Sequence, residues 1–260
     1  MAGAGYAFAV SDDARQDAPP LERQVRFWDE WNLEKLASAE RNPLQLRQRD
    51  WVRGAAKQLA ASIGSDRPLR ILDFGCGTGW LGASLTDLGD VTAIDLSPAA
   101  VEQGKREFPD VRFLAGDFSD VSLAGPFDLV ISSEVIAHVA DHQTYIQRVA
   151  ELLRPGGTFL LMTQNGFVWR RWSEWRPTSE GMIRNWPRLR DLRTMLRESG
   201  FSHIRVSSLE PSGDRGVLRV LNNGKLRAGF RRIGLAPVWR SSLEHVLIGR
   251  DFAIAARRRG

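Results

Sequence analysis

Ile71-Leu72-Asp73-Phe74-Gly75-Cys76-Gly77-Thr78-Gly79-Trp80 is the stretch that decides the fold. An apolar run meets a series of glycines, and a helical pattern follows. A buried strand, a sharp turn and a helix start fit this order. Glycine lets the backbone turn tightly and approach a ligand with no Cβ in the way. The helix start behind the turn offers free N–H groups to an anionic part of that ligand. Many nucleotide-binding folds use such a turn, so the surroundings must specify which one this is.

Working outward, short apolar runs alternate with helical segments. Strands are expected at Arg70–Phe74, Val91–Ile94, Val111–Leu114, Phe127–Ser132 and Thr158–Thr163. Helices are expected at Trp80–Leu88, Ala99–Phe108 and Gln143–Leu153. This alternation predicts a parallel sheet with helices on both faces. Pro155-Gly156-Gly157 predicts a turn before the fifth strand. Upstream, Pro19-Pro20 closes a loose tail over residues 1–19, and helices are expected over Leu21–Ala39 and Leu44–Ile63. Downstream, residues 165–185 read as irregular, Pro187–Glu198 as a helix, and His203–Leu209 and Phe252–Ala256 as strands. Helical pieces are expected between those strands, at Leu218–Ile233 and Ser241–Ile248.

Gly77-Thr78-Gly79-Trp80-Leu81-Gly82 also matches the dinucleotide pattern G-x-G-x-x-G, with Asp95 18 residues after Gly77. The glycines alone leave a nicotinamide cofactor open. Three carboxylates shift the balance. Asp73, Asp95 and Asp117 fall at the ends of the first three strands, 22 residues apart in each step. A parallel sheet gathers them at its C-terminal edge, where ligands bind. There Asp95 suits a ribose diol and Asp117 an adenine amino group.

Taken together, the Asp73–Gly79 turn, Asp95, Gly116-Asp117, Phe127-Asp128-Leu129-Val130 and Leu153-Arg154-Pro155-Gly156-Gly157 resemble a class I S-adenosylmethionine-dependent methyltransferase. The likeness covers about residues 69–163 and is looser beyond. It implies a Rossmann-like α/β fold, a seven-stranded sheet whose last strand is antiparallel. The resemblance also assigns roles. Gly75, Gly77 and Asp73 would face the methionine end of S-adenosylmethionine. Asp95 would hold the ribose, Leu96 would pack on adenine, and Asp117 and Phe118 would flank its edge. Ser133 would lie near the transferred methyl, and Trp31, in an N-terminal helical cap over residues 20–66, would cover the site while Trp28 packs into the core.

Ser132-Ser133-Glu134-Val135-Ile136-Ala137-His138-Val139 follows the fourth strand and is similar to the ubiquinone-biosynthesis O-methyltransferases and their small-molecule relatives. Methyl transfer depends on alignment in a dry site, and a hydroxyl acceptor gains from a base. His138 is the candidate base, with a purely structural histidine as the competing reading. In some relatives a Glu-x-x-Glu-His run binds a divalent ion. Glu134 and His138 match it, but Ala137 replaces the second glutamate, so no metal is expected.

Charge is divided along the chain. Residues 1–166 carry a net −7 and residues 167–260 a net +12, within an overall +5. Only four of the 36 basic residues are lysine. The basic part contains Trp169, Arg170, Arg171, Trp172 and Arg176, expected to line an acceptor pocket for an anionic or aromatic small molecule. Acceptor-side insertions are expected at 165–186 and 211–250 of a domain spanning 67–260. Alternatives remain: an RNA methyltransferase holding phosphates with these arginines, a peripheral membrane contact, or a non-catalytic cofactor-binding protein. A recognised RNA-binding module is lacking, which disfavours nucleic acid. The single Cys76 excludes an internal disulfide framework. No apolar run reaches ~18 residues, and no secretory signal is evident, which predicts a cytoplasmic protein.

Overall fold

The computed structural model of the chain describes residues 18–35, 43–64, 67–172, 182–211, 216–221, 223–245, 247 and 249–260. Residues 1–17 of the expected tail lie outside them, as do residues 36–39 of the first expected helix. Two helices come first, α1 (Leu21–Lys35) and α2 (Pro43–Ile63). Seven strands then form one sheet: β1 (Leu69–Phe74), β2 (Gly89–Asp95), β3 (Arg112–Ala115), β4 (Phe127–Ser133), β5 (Leu153–Gln164), β6 (Phe201–Pro211) and β7 (Gly249–Arg258). Their spatial order is β3-β2-β1-β4-β5-β7-β6. β1 to β5 pair in parallel, and β7 runs antiparallel between β5 and β6. This is the predicted sheet, with the reversed last strand.

The strands read as continuous apolar runs because both sheet faces are covered. Successive side chains alternate between two cores. Leu72, Val130, Phe159, Leu161 and Ile254 enter one cluster with Tyr145, Val149 and Leu196. Their neighbours Ile71, Leu129, Leu160, Met162 and Ala253 enter the other, with Val52, Leu85 and Val101. The first core is closed by α5 (His142–Leu152) and α7 (Leu189–Glu198), the second by α2 and α4 (Pro98–Glu107). Each buried Leu, Ile or Phe contributes about 1.5–3 kcal/mol.

Four local expectations are corrected. The helix after the glycine turn, α3, covers only Trp80–Ala83. Ser84 and Thr86 hydroxyls donate back to the Leu81 and Ala83 carbonyls, and turns replace the helix. The Pro155-Gly156-Gly157 turn lies within β5, as a bulge where the register with β4 jumps between Phe127 and Leu129. Residues 166–172, read as irregular, form α6 (Gly166–Trp172); Asn165 Oδ1 accepts from the Phe167 N–H at its start. The late helical region divides into α8 (Gly216–Leu221), α9 (Gly224–Arg232) and α10 (Ala236–His245). Asn223 caps α9 by accepting from Lys225 N and breaks the run there.

Opposite the ligand edge, Asp128 at the start of β4 is 1% exposed and joins three elements. Arg67 grips it with two hydrogen bonds of 2.8 Å, the Arg70 N–H donates at 2.8 Å, and Arg154 pairs with it from β5. Burial pushes its carboxyl up, but the Arg67 and Arg70 hydrogen bonds and the Arg154 charge outweigh this and hold it below its ordinary value. A carboxyl depressed on folding stabilises above its unfolded value of ~3.9, and that contribution is lost as pH falls through the folded value. Asp128→Ala is expected to lower stability by about 2–3 kcal/mol, because it strands partners of a buried charge that are themselves partly exposed. Urea denaturation at neutral pH measures the loss, and the difference from the parent protein should shrink in acid.

Candidate active site

The glycine turn takes its shape from backbone that other residues tolerate poorly. Gly75, Gly77 and Gly79 have φ of +81°, +55° and +81°. A Cβ on Gly75 would lie 2.2 Å from Val135 Cγ2, and one on Gly77 would lie 3.1 Å from Asn32 Oδ1. The Gly75 and Cys76 N–H groups both donate to the Ile94 carbonyl, tying the turn to the end of β2. Cys76 is buried, and burial pushes its thiol well above the usual range. It is a turn residue.

Two carboxylates hold this turn. Asp95 accepts from Gly77 N–H at 2.7 Å and from Ser97 N–H at 2.9 Å, one on each oxygen. Burial raises its carboxyl, against the opposing pull of those two N–H groups. Asp73 is 1% exposed and accepts from Gly82 N–H at 2.9 Å. Burial, opposed by that N–H and reinforced by Asp95, pushes its carboxyl up to about 7. Asp117 accepts from Ser119 N–H at 2.8 Å. Phe118 sits edge-on to Phe74 and Tyr145.

Above these groups lies a cavity of about 1210 Å³. Asp73, Gly75, Gly77, Asp95, Leu96, Asp117, Phe118 and Ser133 all line it. So do Trp28, Trp31 and Asn32 of α1, and Gln48 of α2. Asp29 Oδ1 fastens α1 over the site, accepting from the Ser97 hydroxyl and from Ala99 N–H. Trp31 stacks on Phe27 at 6.0 Å. Trp28 is not a core residue as expected: it stands edge-on to His138, ring centroids 4.8 Å apart, at the cavity wall.

His138 ends a 3-10 turn, Ile136–His138, beyond β4. Its Nδ1 lies 2.9 Å from the Ile183 carbonyl oxygen. A carbonyl only accepts, so Nδ1 carries the proton and Nε2 keeps its lone pair. Burial first, and the Arg184 charge next, lower the imidazole below its ordinary value against the Ile183 hydrogen bond. His138 is therefore neutral near pH 7. Glu134, weighed in the sequence only as a metal ligand, lines the same wall with φ +63°, uncommon for a residue with a Cβ. Burial, then Asp251, push its carboxyl well above the usual range, partly offset by Arg250 and by a hydrogen bond from Gln48. The strand–turn boundary signals its position; its neighbours Arg250 and Asp251 come from β7, too far along the chain for any motif to announce.

The far wall is built by residues 182–186, pinned to the His138 loop by Asn185, whose N–H donates to Ala137 O. Met182, Ile183, Arg184 and Trp186 line it with Trp169 and Arg250. The Arg250 guanidinium lies 4.8 Å above the Trp169 ring, which tilts against Trp186 at 6.0 Å. Of the arginines expected here, Arg170 donates to the Trp186 carbonyl from outside, and neither it nor the exposed Arg171 lines the cavity. Arg176 and the side chain of Trp172 lie outside the described residues. Arg184 and Arg250 take the place in the wall that the sequence assigned to Arg170 and Arg171.

The donor set fits S-adenosylmethionine. Carboxylates at three strand ends suit a ribose diol and a ligand carrying positive charge, and the bare glycine backbone leaves room beside them.

A methyltransferase domain family model matches residues 45–206. The chain belongs to this family, as a class I S-adenosylmethionine-dependent methyltransferase. It is 29% identical over 176 residues to a ubiquinone biosynthesis O-methyltransferase of Nitrobacter winogradskyi, a match covering 63% of this chain and 66% of that protein. It is 36% identical over 147 residues to the namesake from Xanthomonas oryzae pv. oryzae, covering 54% and 56%. The matches thus span a little over half to two thirds of these relatives. Among solved structures, an S-adenosylmethionine-dependent methyltransferase of Mesorhizobium loti has TM-score 0.55 at 23% identity, over 79% of this chain and 99% of that one. Magnesium protoporphyrin IX methyltransferase of Synechocystis PCC 6803 has TM-score 0.60 at 15% identity, over 90% and 97%. Both share the fold. Gly75→Ala is expected to lose about 1–3 kcal/mol, from left-handed strain and the Val135 clash. A drop in melting temperature with weaker S-adenosylmethionine binding by calorimetry checks it.

Proposed function

We propose that the protein methylates a hydroxyl of a small-molecule acceptor, with His138 as the general base. When bound, S-adenosylmethionine supplies an electrophilic methyl group to this site. Asp95 would hold its ribose, Asp73 and the backbone of Gly75 and Gly77 its methionine end, Leu96, Asp117 and Phe118 its adenine. Ser133 would lie near the methyl. Helices α1 and α2 act as a cap, with Trp31 and Trp28 excluding water.

The observation that carries the reading is the fixed tautomer of His138. Its Nδ1 proton is directed at Ile183 O, so Nε2 is the nitrogen left to take the proton of an acceptor hydroxyl. A depressed imidazole is unprotonated, and so ready to accept, through the neutral range. The half-buried Trp186, backed by Trp169, offers flat apolar area for an aromatic or other planar acceptor, and Arg184 and Arg250 offer charge to an anionic substituent. The names of the ubiquinone-type relatives support O-methylation over N-methylation.

Asp95→Ala is expected to abolish S-adenosylmethionine binding in calorimetry, since it releases both Gly77 and Ser97. His138→Gln is expected to lower kcat by about 10²–10³ while cofactor affinity changes less than threefold. The acceptor is found by incubating the enzyme with labelled methyl donor and candidate phenols, sugars and amines, and weighing the products. Activity should rise with pH through a limb below ~6.5, the ordinary histidine value, and that limb should vanish in His138→Gln. A second limb near 7 from Asp73 would persist in the variant. Methyl transfer to amines with unchanged kcat in His138→Gln overturns the base role.

A further inference from the structure

The segment joining β6 to β7 leaves the sheet and returns at one place, since Pro211 pairs with Gly249. Gln164 at the end of β5 pairs with Asp251, so this is the C-terminal edge, the edge that carries the cavity. The chain carrying α8, α9 and α10 therefore leaves and rejoins the sheet at this edge, with α10 packed on β6, the outermost strand. None of their described residues lines the cavity.

Their surface combines two properties. Eight large apolar side chains are exposed among the described residues, and five of them lie here: Val220 (64%), Leu226 (37%), Ile233 (66%), Leu235 (46%) and Val238 (62%). Leu226 lies in the first turn of α9, and Ile233 is the residue that caps its C-terminal end. The second property is charge. From Arg215 to Leu243 the sequence has seven Arg and Lys and no Asp or Glu. Of these Arg219, Lys225, Arg231 and Arg232 are described and exposed. Lys225 and Arg232 share a face, next to Leu226 and Ile233. An ordinary solvated surface mixes both signs and scatters its apolar groups singly.

We propose that α8–α10 form a docking surface for an anionic lipid bilayer. Protruding aliphatic side chains enter the boundary between headgroups and acyl chains, while a ring of basic residues meets lipid phosphate. The aromatic residues speak against a nucleic-acid surface. Unpaired bases stack on exposed rings, but Phe230 and Trp239 are half-buried and stacked on each other, 4.5 Å apart and 11° from parallel. This surface is independent of the hydroxyl-methylation reading.

The test is co-sedimentation of the full chain with vesicles of equimolar phosphatidylglycerol and phosphatidylcholine, and with phosphatidylcholine alone. Binding is expected to the first, weakened by salt, and to be at least about tenfold weaker to the second, given roughly 1 kcal/mol per basic residue near an anionic surface. Ile233→Asp with Val238→Asp is expected to weaken binding about tenfold or more by removing the inserted groups. Arg231→Glu with Arg232→Glu is expected to do likewise through charge. Melting temperature and S-adenosylmethionine affinity should stay at parent values in both, since neither pair lines the cavity. Absent vesicle binding, or binding unaltered by either pair, overturns the proposal. So does tight binding to polyuridylate lost by the same substitutions, which would make the surface a nucleic-acid site. A dimer in sedimentation that Ile233→Asp dissociates would make it a contact between copies, and equally overturns it.

Discussion

The carboxylate of Asp95 joins the loops that follow β1 and β2 into one surface. One oxygen takes the Gly77 N–H and the other the Ser97 N–H. Ser97 in turn caps α4 by accepting from Ala100 N–H, and its hydroxyl donates to Asp29 on α1. A single half-buried acid thus sets the glycine turn, the start of a helix and the position of α1. Charge-assisted hydrogen bonds of this kind are about twice as strong as neutral ones, which suits a group that must also be partly desolvated. The strained φ values of the turn persist because neighbouring groups fix them.

The remainder of the site depends on a different kind of contact. The His138 loop is held by backbone and side-chain bonds from residues 183–185: Ile183 O fixes the imidazole, and Asn185 reaches the Ala137, Val139 and Ala140 carbonyls. The segment that forms the far wall of the cavity is therefore also the segment that sets the His138 tautomer. On the proposed reading, a change in that wall reaches the imidazole through Ile183 and Asn185.

Charge is arranged by function. The acidic half of the chain supplies Asp73, Asp95 and Asp117 to a ligand side that favours positive charge. The basic half supplies Arg184 and Arg250 to the opposite wall and the exposed Lys225, Arg231 and Arg232 to α9. Glu134 stands where the halves meet, between Gln48, Arg250 and Asp251, its carboxyl shifted by that burial and crowding.

Much of this was legible in the sequence. Strands buried on both faces must be continuous apolar runs, and five such runs with glycines, acids and helices at regular spacing prescribe the sheet and its ligand edge. Asp73, Asp95, Asp117, Ser133 and His138 were readable because each closes a strand or the turn after it, so local pattern fixes their place. The acceptor wall was not. Arg170 and Arg171 stood out as an Arg-rich, Trp-rich run, yet α6 turns them to the outside, because Asn165 starts a helix there and buries Trp169 instead. Arg250 and Asp251 lie about 115 residues from Glu134 in sequence and meet it only because β7 is laid antiparallel against β5. Nor does any spacing reveal that Trp28 rests on His138 or that Nδ1 finds Ile183. Local order along the chain determined the sheet and its ligand edge; the far wall of the cavity and the tautomer of His138 were decided by side chains brought together across strands and loops, where no periodicity connects them.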